Sequence, residues 1–179
     1  MSKKIEKTLP PCGIYRTGRA LSSEPQNIPA GILVLFHNHS NRGIPMLQLP
    51  DENHNNVWSF HKYGPGVEDD DAFIEALIPL REQGFYFLGS DLETPDGRVS
   101  KYTLVQLGYD REAHPILFWA EKGISENALF FPELGLRFEE LGVLEILRPA
   151  HPLIVAGQAD PDHADQHGAI IPPSNDLLQ

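Results

Sequence analysis

The chain has 179 residues and a mass of 20.0 kDa, enough for one domain that buries a core without disulfides or a structural metal. Its 25 acids against 14 Lys and Arg leave a net charge of −11, which excludes a broadly basic surface for coating nucleic acid. Cys12 is the only cysteine, so an intrachain disulfide framework and a cysteine-rich zinc site are excluded, and no apolar run approaches the roughly 20 residues that span a bilayer.

Residues 1–10 read as a flexible polar lead-in without the apolar stretch of a secretory signal, and a cytoplasmic protein is expected. Basic charge is concentrated at this end, in Lys3, Lys4, Lys7, Arg16 and Arg19. Residues 11–150 read as the single domain. Gly31 to Phe36 is apolar enough for a buried strand. His37 to Gly43 is a turn cluster, and Ile44 to Leu49 returns as a second strand. Val57 to Phe60 is a short strand. A helix follows: Asp69, Asp70 and Asp71 supply the N-cap and first-turn carboxylates, and Phe73, Leu77 and Leu80 form the core stripe. Gln83-Gly84 ends it, and Pro79 kinks or splits it. Gly84 to Leu88 is a strand. Pro95-Asp96-Gly97 is a turn, Val99 to Tyr109 an alternating strand, and Ala113 to Ala120 pairs back after a turn. Val143 to Leu147 is a strand or the end of a short helix. Residues 151–179 have no Lys or Arg and read as an acidic, loosely attached tail.

On the expected helix, Asp71, Glu75 and Glu82 fall at roughly 160°, 200° and 180° from Phe73. They share the face opposite the apolar stripe, and Glu68 points the same way. Such a line suits a hard divalent cation, because Mg2+ takes oxygen ligands and bridges to phosphate; it equally suits the solvated face of an amphipathic helix. Trp58, Phe60, Tyr63 and Trp119 offer rings for stacking or for packing. His37 and His39, at i and i+2, face one way on an extended chain, as metal ligands or as a polar turn pair. With Gly31 they are similar to the start of the first cupin motif, but the glutamate expected after them is missing. Cys12 reads as a small buried hydrophobe rather than a thiol nucleophile.

The order of these elements resembles the Nudix superfamily. The segment VWSFHKYGPGVEDDDAFIEALIPLREQGFYF stands where that family has a W-x-F strand end, a glycine loop and the helix G-x5-E-x7-R-E-U-x-E-E-x-G-U. The likeness covers residues 30–90. The family's E-E-x-G reads Arg81-Glu82-Gln83-Gly84, and its R-E pair falls on Leu77-Ile78, so the box is degenerate.

The resemblance implies an α+β fold, a Nudix-like α/β/α sandwich with a mixed β-sheet. It implies Mg2+ or Mn2+ on Glu82, Glu75, Asp71 and Glu68, with Glu82 and Glu75 catalytic. Lys62, Gly64, Gly66, Arg81 and Trp58 would meet a nucleotide-type small molecule, and a nucleoside-diphosphate-linked compound would be bound and hydrolysed. No membrane or broad nucleic-acid partner is expected, and a homodimer is compatible with the chain. The rival readings are a non-catalytic binding or regulatory module on that scaffold, and a β-rich acidic interaction module without a nucleotide site.

Overall fold

The structure is a computed structural model that describes residues 9–39, 43–67, 70–122 and 129–150. Glu68, most of the lead-in and the 151–179 tail lie outside the described residues. In chain order the elements are β1 (Gly13–Thr17), β2 (Leu33–His37), β3 (Met46–Gln48), β4 (Pro50–His54), β5 (Val57–Phe60), α1 (Asp71–Glu75), β6 (Leu77–Pro79) and β7 (Gly84–Leu88). The hairpin β8 (Leu92–Thr94) and β9 (Gly97–Val99) follows, then β10 (Leu104–Tyr109), β11 (Pro115–Trp119), β12 (Glu121–Lys122), β13 (Leu129–Phe130) and β14 (Leu136–Arg137). A 3-10 helix (Leu141–Ile146) leads into β15 (Leu147–Pro149).

Two sheets organise the chain. The first has the order β3-β2-β1-β6 and the second β14-β11-β10-β7-β15. The strand pairings described are antiparallel throughout, where a mixed sheet was expected. Among the described residues the helices are the five-residue α1 and the six-residue 3-10 segment. The fold is therefore strand-rich.

The strand expected over Gly31 to Phe36 forms from Leu33 to His37, and its apolar run serves both faces. Leu33 packs into the cluster built on Val105, Leu107, Leu117 and Leu147 of the second sheet. Val34 and Phe36 pack the opposite way, with Tyr15, Leu47, Phe73 and Leu77. β1 alternates likewise, with Ile14 toward the first cluster and Tyr15 toward the second. A strand covered on both faces needs apolar side chains without interruption.

The long helix does not form. Asp70 caps α1, its carboxylate accepting from Phe73 N–H at 3.1 Å and from Ser22 N–H at 2.9 Å. The helix stops at Glu75, and Leu77–Pro79 runs extended against β1, Tyr15 opposite Pro79 and Thr17 opposite Leu77. The reason is local. Pro79 cannot donate within a helix, and its ring pushes Ile78 out of the α region. An edge strand tolerates it, and β6 is the edge of its sheet. The supposed stripe splits accordingly: Phe73 and Leu77 join one cluster, and Leu80 packs against the other.

Two other readings are refined. Val99 to Tyr109 is interrupted at Tyr102, whose φ is 68°, so β9 and β10 are separate strands. The late apolar segment is both alternatives in succession, a 3-10 turn and then β15. No helix among the described residues is long and apolar enough to cross a membrane.

Candidate functional site

Among the described residues, Asp71, Glu75 and Glu82, expected to hold a metal with Glu68, form no convergent group. Asp71 opens α1, Glu75 closes it, and strand β6 then intervenes before Glu82. A helix would have returned Glu82 to their face after two turns, whereas the extended β6 carries it away. Among the described residues the convergent groups of three or more His, Cys, Asp or Glu are Cys12–His37–His39 and Asp110–Glu112–His114. Neither contains a residue from the expected set.

The glycine loop has a different task as well. Leu47 N–H donates to Pro65 O at 3.0 Å, and Val67 N–H donates to Pro45 O at 2.8 Å. With a bridge between Met46 and Gly66, the loop covers the open edge of β3. Gly64 is required there, because a Cβ would collide with the Leu47 carbonyl. Lys62 is exposed, with Nζ 5.5 Å from the centre of the Tyr63 ring.

Residues 81–83 act through other atoms than expected. Arg81 O accepts from the Tyr109 hydroxyl at 2.9 Å and Glu82 O from the Tyr86 hydroxyl at 2.7 Å. Burial pushes both phenols above their ordinary pKa. Gln83 brackets the backbone of Trp58: its Oε1 accepts from Trp58 N–H at 2.8 Å, and its Nε2 donates to Trp58 O at 3.2 Å. The Trp58 indole Nε1–H donates to Tyr109 O at 2.6 Å. Arg111 lies over the Trp58 ring at 4.8 Å and donates to Pro50 O at 3.2 Å. Trp58 is thus held from its backbone, its ring nitrogen and one ring face.

Beside it the β4–β5 turn presses onto β10. Asn55 and Asn56 have φ of 51° and 66°, the left-handed pair of a two-residue hairpin turn. Gln106, 5% exposed, donates to Asn55 O at 2.5 Å and accepts from Asn56 Nδ2 at 3.1 Å. The approach is close enough that a Cβ at Gly108 would sit 2.6 Å from Asn56 O. A cavity flanks each side of this clamp. One, about 460 Å³, is walled by Phe85, Phe130, Phe131 and Gln106. The other, about 470 Å³, is walled by Trp58, Tyr109, Arg111 and Phe118. Asn53, Asn56 and Glu133 border both.

Of the residues expected to touch a ligand, Trp58 and Arg81 each line a cavity, but not the same one. Gln83, Gln106, Tyr109 and Arg111 were missed. The signal that could have found the clamp is Asn55-Asn56, two residues that favour left-handed turns between β-forming flanks.

Next to the second cavity, Asp110 takes hydrogen bonds from Arg137 Nε at 2.6 Å and from His114 N–H at 2.8 Å. Burial raises the Asp110 pKa, but these donors and the charges of His114 and Arg137 outweigh it, and the carboxyl lies below the usual range. His114 Nδ1 lies 2.8 Å from Arg137 Nη2 and 3.2 Å from Asp110 Oδ2, and Arg137 also pairs with Glu139. His114 Nε2 lies 3.6 Å from Glu139. The guanidinium supplies the positive charge among these acids, and the cluster reads as an ion-pair network.

No family model, curated protein or solved structure matches the chain.

Proposed function

We propose that this protein is a non-catalytic binding module whose ligand enters the groove between Trp58 and the Asn55–Asn56 turn. The observation that carries this reading is the immobilised Trp58 on the wall of a cavity of about 470 Å³ that Asn53 and Asn56 also border. A ring fixed before binding offers stacking area with little further loss of side-chain freedom.

The charge around the groove selects the ligand. Among the described residues, Glu112, Glu133 and Asp110, itself paired with Arg137, line this cavity and Arg111 is the one lining cation, and Arg111 is engaged with Trp58 and Pro50 O. A diphosphate would meet net repulsion. An uncharged ring compound bearing hydroxyls, such as a nucleoside or a neutral saccharide, fits the amides and the aromatic wall.

The test is a tryptophan-fluorescence titration on a Trp119→Phe background, so that Trp58 alone reports. Nucleosides and neutral saccharides are titrated, and nucleoside-diphosphate-linked compounds are assayed with Mg2+ for hydrolysis. Saturable change with an uncharged ligand, lost in Asn53→Ala, is expected. Turnover of a diphosphate compound that Glu82→Gln abolishes would overturn the reading in favour of Nudix-type catalysis.

A further inference from the structure

The geometry points to a second, separate site: a Zn2+-class metal centre on Cys12, His37 and His39, at the end of the β1–β2 pair in the other sheet. Register explains how it assembles. Gly13 pairs with Phe36, so one step outward Cys12 stands opposite His37. Directly opposed residues of an antiparallel pair project to one face. β2 ends at His37, and the bend that follows sets the His39 ring beside the His37 ring, their centres 4.6 Å apart. The i, i+2 histidines thus gain a thiol from the neighbouring strand, which no reading of residues 37–39 alone supplies.

The distances suit coordination. Cys12 Sγ lies 3.1 Å from His37 Nδ1 and 3.4 Å from His39 Nδ1, and the three ligand atoms lie within 4.8 Å of one another. A tetrahedral ion with Zn–S near 2.3 Å and Zn–N near 2.0 Å sets its S and N ligands about 3.5 Å apart. Asn38 completes the surroundings. Its backbone N–H donates to Cys12 Sγ at 3.3 Å, and that bond can persist to a thiolate and orient it. Its side-chain oxygen lies 3.1 Å from Cys12 Sγ and 2.6 Å from His39 Nδ1. Before binding it accepts hydrogen bonds from the Cys12 thiol and from His39 Nδ1–H; coordination expels the thiol proton to solvent and leaves the His39 proton on Nε2.

The donor set fixes the class of ion. One thiolate and two imidazoles suit Zn2+ or Co2+ and are poor for Mg2+, which takes oxygen. The setting fixes the kind of site. Cys12 and His39 are exposed, so a fourth position faces water, as in open zinc sites rather than closed structural ones. The strands there need no metal to hold them. Tyr15 and Phe36, 4% and 0% exposed, already pack edge to face at 5.9 Å in the same strand pair.

The test uses the full chain, stripped of metal and titrated with Co2+ and Zn2+. One equivalent of Co2+ is expected to give a sulfur-to-cobalt charge-transfer band that Zn2+ displaces and excess Mg2+ does not. Cys12→Ser is expected to remove the band. His37→Ala and His39→Ala are each expected to weaken Co2+ binding about tenfold or more. Zn2+ is expected to protect Cys12 from alkylation, with far-UV circular dichroism unchanged between the apo and loaded protein. His39→Gln serves as a second variant should an alanine form fold poorly. A missing band would overturn the site, as would a band that survives both histidine substitutions. Alkylation of Cys12 at the same rate with and without Zn2+ would overturn it too, and would leave a Cys–His thiol pair as the better description.

Discussion

Gln106→Leu isolates the clamp that shapes the proposed groove. The two side chains are close in volume, so little cavity is created. What goes is the bond to Asn55 O and the bond from Asn56 Nδ2. At about 1 kcal/mol net for each, the loss is about 2 kcal/mol. For a chain of this length that corresponds to a Tm lower by about 4–8 °C. Urea unfolding followed by circular dichroism measures the loss, and an unchanged m-value would confirm that the unfolded state is unaltered. Trp58 emission on the Trp119→Phe background should shift, because the loosened hairpin carries Trp58 on β5. A change below about 0.5 kcal/mol with unaltered emission, within the range of ordinary surface substitutions, would refute the clamp. The hairpin would then be held by Trp58 and the close approach at Gly108 alone.

Gly64→Ala should destabilise the protein by several kcal/mol, at the upper end for a single substitution, because the new methyl meets the Leu47 carbonyl; a thermal melt within 2–3 °C of the parent, about 1 kcal/mol or less, would show that the loop can lift from β3. Stability should fall in acid through Asp110. Its folded pKa is depressed, so its contribution is present above the unfolded value of about 3.9 and is lost as pH drops through the lower folded value. Asp110→Asn should flatten that acid limb in urea midpoints measured from neutral pH downward.

Much of the strand framework was legible because it rests on short-range pattern. The run from Gly31 to Phe36, the return through Leu47 and the strand at Gly84 to Leu88 all announce themselves by apolar continuity between turns. The helix was misread because spacing alone cannot weigh Pro79 against an available partner. Phe73, Leu77 and Leu80 have helical spacing, yet β1 offered β6 an edge, and Leu77 reaches the same core either way. That error carried the carboxylate line with it, since Glu82 depended on two further turns of helix. The Cys12 cluster was half legible. His37 and His39 share a face by periodicity, but Cys12 arrives through a pairing across 25 residues that no local rule contains. Cys12 was expected to be buried and is exposed, because the strand begins only at Gly13.

The two-faced burial of β1 and β2 bears on how the molecule comes apart. Leu33 and Ile14 belong to one apolar cluster, and their immediate neighbours Val34 and Tyr15 belong to the other. Opening either cluster withdraws support from the same pair of strands, so neither half retains an intact partner when its counterpart loosens. The two sheets are thereby tied into one cooperative unit. Among the described residues the hairpins β8–β9 and β12–β13 hydrogen-bond as separate two-stranded units, and Leu92 and Val99 tether the first of them to the cluster that Leu33 and Ile14 share.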